Sequence, residues 1–488
     1  MFRSFFKYAL AIMFITFSVG AYAEDGMNKT VKVSPEDIVD RIIEDSFKVK
    51  QYEMDVLAAY EGIPAAKGTF DTMLSMDMMY NLNKEDSTST IMGDRKDTTV
   101  WGLSLSKEIP TGTELGLSFD TNVSKTYNAT VNGIPIIPQT NLYDPIIGFS
   151  LSQPLMQNVF GMIDRGAVKE ATFFYESAEN ELKRRIDSQV YEALIDYWAL
   201  YFNRKHIEAQ KKAVSFAKEF LASTREERKL GTAEETDLLA ARANLLNRED
   251  EFLTLKEIER TFEDRLRHHL ELDPGTKIEQ LDVLPPFENP GMFDDARISF
   301  ALDNRGDYQA WKKELERLNV SLKIAKNKRW PSLDLYSTLE LNQIDTSYRD
   351  ALGGMDSPNW TVGMNFSVPL ENRTARAGAS RAKAQKARAL YAVKDLENQI
   401  VNSLDTLIQE VNSRKLIVEN NTQTMKLQRA KLAGEMKKYR MGRSSSYVIV
   451  QYQNDSVTSE RNLVEAWLAY QDSALGLKLA EGAIVGNK

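Results

Sequence analysis

The chain has 488 residues, 62 Lys and Arg against 70 Asp and Glu, and no cysteine. The acidic balance of −8 argues against a nucleic-acid partner, and the missing thiols exclude disulfides and a lipid-acylated cysteine at an export cleavage site. Length alone suggests about three domains, but an internal repeat points to two similar halves.

In chain order, Met1–Ala23 reads as a secretory signal peptide. Arg3 and Lys7 make the basic start, Ala9 to Val19 the apolar run, and Ala21-Tyr22-Ala23 the small-x-small cleavage site. The run is short for a membrane span. Its removal takes away two basic residues, so the mature charge falls from −8 to −10. No later stretch approaches a transmembrane helix, so a membrane segment would have to be a barrel. Glu24 to Val33 reads as a loose leader. Ser34 and Pro35 form an N-cap and first-turn pair, backed by Glu36 and Asp37. The helix they open is expected to reach Tyr60 and to stop at Gly62 and Pro64.

Period-two alternation follows. Phe70, Thr72, Leu74, Met76, Met78 and Tyr80 fall on one side of a strand, with Asp71, Ser75 and Asp77 on the other. Asn81 to Lys96 reads as a loop. Trp101, Leu103 and Leu105, then Leu115, Leu117 and Phe119, alternate with Gly, Ser and acidic residues around Pro110-Thr111-Gly112, which predicts a hairpin. Thr121 to Asp144 reads as another loop. Ile147, Phe149 and Leu151 alternate up to Pro154.

The character then changes. Met162 to Leu230 lacks proline, and Leu182, Ile186, Val190, Leu194, Tyr197 and Tyr201 recur at spacings of three and four. This predicts a long amphipathic helix of roughly 100 Å. Gly231 interrupts it, Glu234 to about Leu270 returns, and Asp273-Pro274-Gly275 ends the hairpin.

The plan repeats. A helix is predicted over Asp307 to Lys328, and strands around Leu333–Leu341 and Trp360–Val368. A long helix follows from Arg373 to Met441, broken at Gly442, and a return helix from Tyr447 to Ala480. Gly148-Phe149-Ser150-Leu151-Ser152-Gln153-Pro154-Leu155 aligns with Gly363-Met364-Asn365-Phe366-Ser367-Val368-Pro369-Leu370 at an offset of 215 residues. Pro154 and Pro369 mark strand-to-helix joints, where proline's fixed φ suits a first helical turn. The organisation expected is a signal at 1–23 and a first repeat at 24–280, with strands in 66–153 and a helical hairpin over 156–272. A linking segment at 281–306 precedes a second repeat at 307–488, with strands in 331–369 and a hairpin over 372–482.

Alternation fits both a soluble sheet with one wet face and strands crossing a bilayer. The count decides more. Six strands are too few to seal a barrel in lipid, where an open edge is not tolerated, so several copies would have to share one. Long continuous helices joined to a shared barrel describe a conduit.

The duplicated strand-Pro-Leu joint, the helical hairpins broken at Leu230-Gly231 and Met441-Gly442, and the export signal together resemble the TolC family of outer-membrane efflux and secretion channels. The resemblance covers essentially the whole mature chain. It implies an α+β membrane protein: a homotrimer sharing one outer-membrane β-barrel in outer-membrane lipid, with a periplasmic α-helical barrel below. The implied partners are a periplasmic adaptor (membrane fusion) protein and an inner-membrane transporter. The family usually supplies four strands per protomer. The extra pair near Thr98–Asn122 departs from this, either enlarging the barrel or projecting from it, and projection is the expectation taken here. The resemblance makes Gly231 and Gly442 the periplasmic hairpin tips. The family's acidic aperture positions hold Val448 and Gln451 here, which leaves a cation-binding ring without its ligands. Asp237 matches a family aspartate that pairs with an arginine to hold the tip shut. The family's arginine position is Ser444 in this chain, with Arg443 adjacent, so Asp237 and Arg443 are the expected closing link.

Other constellations carry less. His268 and His269 are neighbours and would point about 100° apart on a helix, which disfavours joint chelation, and His206 is remote in sequence. No nucleophile–base arrangement and no nucleotide-binding glycine loop is present. The basic run Arg373, Arg376, Arg381, Lys383, Lys386 and Arg388, interleaved with alanines, reads as a solvated helix face just below the barrel. The function expected is a passive exit duct, without catalysis, cofactor or metal. The alternative is a periplasmic coiled-coil adaptor, which accounts for the helices but not for the strands.

Overall fold

The computed structural model describes residues 30–84, 91, 93–131, 133–135, 140–281, 283–284 and 286–485; the expected export signal, Met1–Ala23, lies outside them. The strands are β1 (Thr30–Val33), β2 (Thr72–Asn83), β3 (Arg95–Glu108), β4 (Glu114–Tyr127), β5 (Thr130–Val131), β6 (Ile134–Pro135), β7 (Leu142–Pro154), β8 (Lys277–Gln280), β9 (Ser332–Asn342) and β10 (Ser357–Ser367). The helices are α1 (Pro35–Asp45), α2 (Phe47–Lys67), α3 (Met162–Lys229), α4 (Glu235–His269), α5 (Asp295–Asn304), α6 (Gly306–Asn327), α7 (Tyr348–Gly353), α8 (Arg373–Arg440) and α9 (Ser446–Glu481). Among the described residues no helix is long and apolar enough to cross a membrane. The chain divides into two units, each drawn from both halves of the sequence. One comprises the described residues up to Lys50, Arg185–Ile298 and the chain from Asn402 onward; the other comprises Gln51–Arg184 and Ser299–Val401.

The second unit is built on an antiparallel sheet in the order β10-β9-β7-β4-β3-β2. Its register lays the alternation of each strand onto that of the next. Leu74, Leu105, Leu117, Phe149, Leu339 and Trp360 form one row across all six strands. Two residues along, Met76, Leu103, Phe119, Ile147 and Leu341 form the next. The opposite face carries Ser75, Ser104, Ser118, Gly148, Glu340 and Asn359 in one row, and Met73, Ser106, Gly116, Ser150, Thr338 and Thr361 in another.

The predicted hairpin is β3–β4, and it does not project. It is hydrogen-bonded on both sides, to β2 along 12 residue pairs and to β7 along 11, and so lies inside the sheet. Both strands are also longer than their alternation suggested. β3 starts at Arg95, which leaves Trp101 in mid-strand, and β4 runs on through polar Asn122–Tyr127 into the expected loop.

Neither joint proline opens its helix. Pro154 is the last residue of β7, and α3 starts only at Met162; Pro369 follows β10, and α8 starts at Arg373. Asn158, Phe160, Gly161 and Asn372 adopt positive φ between strand and helix, a geometry that cannot be a first helical turn. At Gly161 the reason is a close approach, since a Cβ there would sit 2.2 Å from the Pro110 carbonyl oxygen of the β3–β4 turn. In the same unit α6 packs on the start of α3. Ser177 Oγ donates to the Ala310 carbonyl at 3.0 Å, and Lys313 pairs with Glu176 at 2.8 Å.

The first unit has a conventional apolar interior. Val33, Ile38, Ile42, Val190, Tyr197, Leu200, Leu266 and Ile278 form its core. β1, expected as loose leader, pairs in parallel with β8 and buries Val33 and Ile278 together. The expected single helix from Ser34 is broken at extended Ser46; Ser34 caps α1 as anticipated, and Asp37 returns the bond to the Ser34 backbone N–H in a capping box. α2 then runs through Gly62 and Pro64 to Lys67. The proline-rich segment near Phe287 is fixed by aromatic stacking. The Phe287 and Trp467 rings lie 5.0 Å apart at 7°, and Trp467 stacks in turn on Phe202.

Candidate functional site

Two parts of the molecule carry the candidate function: the sheet and the ends of the long helical hairpins. The sheet inverts the usual placement of apolar residues. Met76, Met78, Trp360 and Met364 are 76%, 75%, 72% and 67% exposed on its apolar face. Water does not hold such a face open, because contiguous apolar area of this extent is costly to hydrate. On the same face Ser337 Oγ accepts from Trp360 Nε1 at 3.0 Å, which pairs the indole N–H. The polar face behaves oppositely. A Cβ on Gly102 would lie 2.3 Å from Asp120 Oδ1 and 2.8 Å from Asp77 Oδ1, so both carboxylates lean across this glycine. Two adjoining carboxylates are tolerable only against water. Tyr336 closes over Gly363 on the same face.

The helical hairpins end alike. Gly231 and Gly442 take φ of 75° and 69°, the left-handed conformation in which L side chains clash and glycine does not. In each, the residue after the glycine donates back five residues, Thr232 to the Glu227 carbonyl and Arg443 to the Lys438 carbonyl, both at 2.9 Å. The sequence repeat is thus a repeat of one C-capping turn.

The expected link between Asp237 and Arg443 is not formed within this chain. Asp237 sits at the third position of α4, where its Oδ2 accepts from the Glu234 backbone N–H at 3.1 Å. The exposed Arg443 makes no ion pair with it among the described residues. Val448 is half-buried and Gln451 exposed on the first turns of α9.

What joins the hairpins is a contact that the sequence did not suggest. The Tyr439 hydroxyl near the end of α8 donates to Glu227 Oε2 of α3 at 2.6 Å and lies 3.1 Å from Ser446 Oγ. Burial and the facing Glu227 carboxylate push the Tyr439 phenol above its usual range. Behind it, Phe220, Leu221, Ala241 and Ile449 bury a small cluster contributed by three helices, α3, α4 and α9. One buried polar pair ties the return helices: Asn244 Nδ2 donates to Gln453 Oε1 at 2.8 Å, and Gln453 Nε2 to the Ala213 carbonyl at 3.2 Å. Single polar residues on long helices leave no signal that sequence reading could have picked out.

The histidines do not converge on a metal. His206 is buried on α3, and burial lowers its pKa below the usual imidazole value. His269 Nε2 lies 3.2 Å from Asp196 Oδ2. Among the described residues no cluster of three or more His, Cys, Asp or Glu could hold a metal ion. Arg373, Arg376, Arg381, Lys383 and Arg388 are exposed along the first turns of α8, as expected, while Lys386 of the same run is half-buried.

Comparison with known proteins matches this geometry. Residues 298–483 fit the family model described as outer membrane efflux protein. No curated protein sequence is a match. Among solved structures, the outer-membrane channel OprN superposes with a TM-score of 0.70 at 15% identity, covering 92% of this chain and 89% of that one. The CmeC outer membrane channel of Campylobacter jejuni gives 0.69 at 15%, covering 92% and 85%. The outer membrane protein VceC of Vibrio cholerae gives 0.69 at 14%, covering 93% and 97%. Residues 298–483 thus match the outer membrane efflux protein family model, and the described chain has the fold of these outer-membrane channels.

Proposed function

We infer that this chain is the outer-membrane exit duct of a tripartite efflux pump or a type I secretion system. One observation carries the reading: a six-stranded sheet with an exposed apolar face, a charged and hydroxylated opposite face, and two edges that no described strand pairs. Such a sheet is stable where one face meets lipid, the other meets water and a further copy covers each edge. Three copies share the barrel in the outer membrane, and their long helices continue the passage into the periplasm. A periplasmic adaptor and an inner-membrane transporter dock below and supply the energy, since the sequence has no nucleotide-binding loop. The duct conducts passively and catalyses nothing.

The reading as a periplasmic adaptor leaves the apolar sheet face unexplained. Purified, detergent-extracted protein reconstituted in planar bilayers is the test. Stepwise conductance from a heat-labile trimer is expected. A water-soluble monomer without conductance would discard the duct.

A further inference from the structure

We infer that three copies of this chain close an eighteen-stranded barrel, in which the β3–β4 hairpin is lipid-facing and lumen-facing wall. This rests on the trimeric duct proposed above and specifies the dimensions of its membrane segment. The hairpin's place in the sheet is the first support. β2 does not pair with β7; β3 and β4 stand between them as full-length ladder partners. The faces are the second. Leu103, Leu105, Leu117 and Phe119 continue the apolar rows from β2 into β7, and Gly102, Ser104, Gly116, Ser118 and Asp120 continue the polar ones. A hairpin projecting into water would have no use for an apolar side in register with its neighbours.

The edges are the third support, and they identify the occupant as a second copy. Five antiparallel steps separate β2 from β10, so the two edge strands run in opposite directions. They are also matched in length, 12 and 11 residues. When β2 of one copy meets β10 of the next, the antiparallel ladder continues around the ring without a parallel seam. β2, Thr-Met-Leu-Ser-Met-Asp-Met-Met-Tyr-Asn-Leu-Asn, carries no lysine, proline or bulge to blunt it, and an unprotected edge of this kind requires a partner strand.

Barrel diameter grows about linearly with strand number. Three copies of six strands make a lumen about 1.5-fold wider than three copies of four, in the size range of barrels that hold an open aqueous channel. The membrane segment is therefore not the sieve, and discrimination by size falls to the hairpin ends near Gly231 and Gly442.

Electron cryomicroscopy of the trimer in lipid nanodiscs counts strands directly. Eighteen in cross-section is the expected result. Twelve, with the hairpin outside the wall, overturns the inference and leaves the duct intact; no shared barrel overturns the duct itself. Cross-linking gives an independent answer, because the chain has no cysteine of its own. Cysteines paired at Leu74 and Leu105 are expected to link within one chain, whereas Leu74 with Phe149 is expected not to. Linkage of the second pair would place β2 beside β7 and end the proposal. Cysteines scanned along β2 and β10 together are expected to give a covalent ladder up to trimer on denaturing gels, and their failure at every register would count against the closure.

Discussion

The helical core of the first unit and the sheet of the second use the same residue types in opposite ways. Tyr197, Leu200, Leu266 and Ile449 are almost fully shielded, whereas Met76, Met78, Trp360 and Met364 stand outside. The core obeys the rule for water, which drives apolar area inward. The sheet obeys the rule for a bilayer, which rewards apolar area outward and requires every strand to be paired. One polypeptide is therefore divided between two solvents, and substitutions distinguish them.

The largest effect is expected on the apolar face of the sheet. Ile147→Arg should cost about 2–4 kcal/mol of barrel stability, the cost of a cation near the bilayer midplane. Ser150→Arg, three residues on and facing the other way, should assemble nearly as wild type does. The yield of heat-labile trimers in the outer-membrane fraction measures both, and equal losses would erase the distinction between faces.

Next is the contact near the hairpin ends. Tyr439→Phe removes the hydrogen bond to Glu227 and should loosen the hairpins by about 1 kcal/mol. If this contact holds the duct closed, the open fraction in single-channel recordings rises about fivefold. An unchanged open fraction with an intact fold would confine Tyr439 to structure.

A smaller, pH-dependent effect distinguishes the watery core. The folded-state pKa of His206 is lowered by burial, so the unfolded chain binds its proton more readily. The stability this neutral imidazole contributes is present above the unfolded value of about 6.5 and is lost as pH falls through and below it. His206→Gln should flatten the fall in thermal midpoint between pH 7.5 and 5.5. An unaltered slope would assign the acid sensitivity elsewhere.

The smallest effect is the coupling expected between Asp237 and Arg443. Asp237→Ala should cost about 1 kcal/mol of local helix stability through its cap. Combined with Arg443→Ala, the losses should add within about 0.5 kcal/mol. A larger coupling would show that the two residues pair between copies in the assembled duct.

Much of this was legible in the residues. Period-two alternation located all six strands of the sheet, and spacings of three and four located the long helices, because both patterns are imposed by one buried or lipid-facing side. Gly231 and Gly442 marked their turns because left-handed backbone selects glycine chemically. Legibility failed where a decision depended on a distant partner. Glu24 to Val33 looked loose because Thr30–Val33 gains its ladder from Lys277–Gln280. Pro154 looked like a helix start because its local preference is real, yet the chain first turns through Asn158, Phe160 and Gly161 against the Pro110 turn. Asp237 was singled out for its place in the repeat, and its bond to the backbone of its own first turn, a cap to α4, went unread beside it.

The sequence by itself determined that this chain is written twice, with alternating strands leading into long helices that break at glycine, because periodicity and backbone chirality act over a few residues. Only the tertiary structure decided that the extra hairpin stands within the sheet and that Tyr439 reaches Glu227. Strand order and side-chain pairing are set by which surfaces meet across some two hundred residues of chain, and no local pattern encodes that meeting.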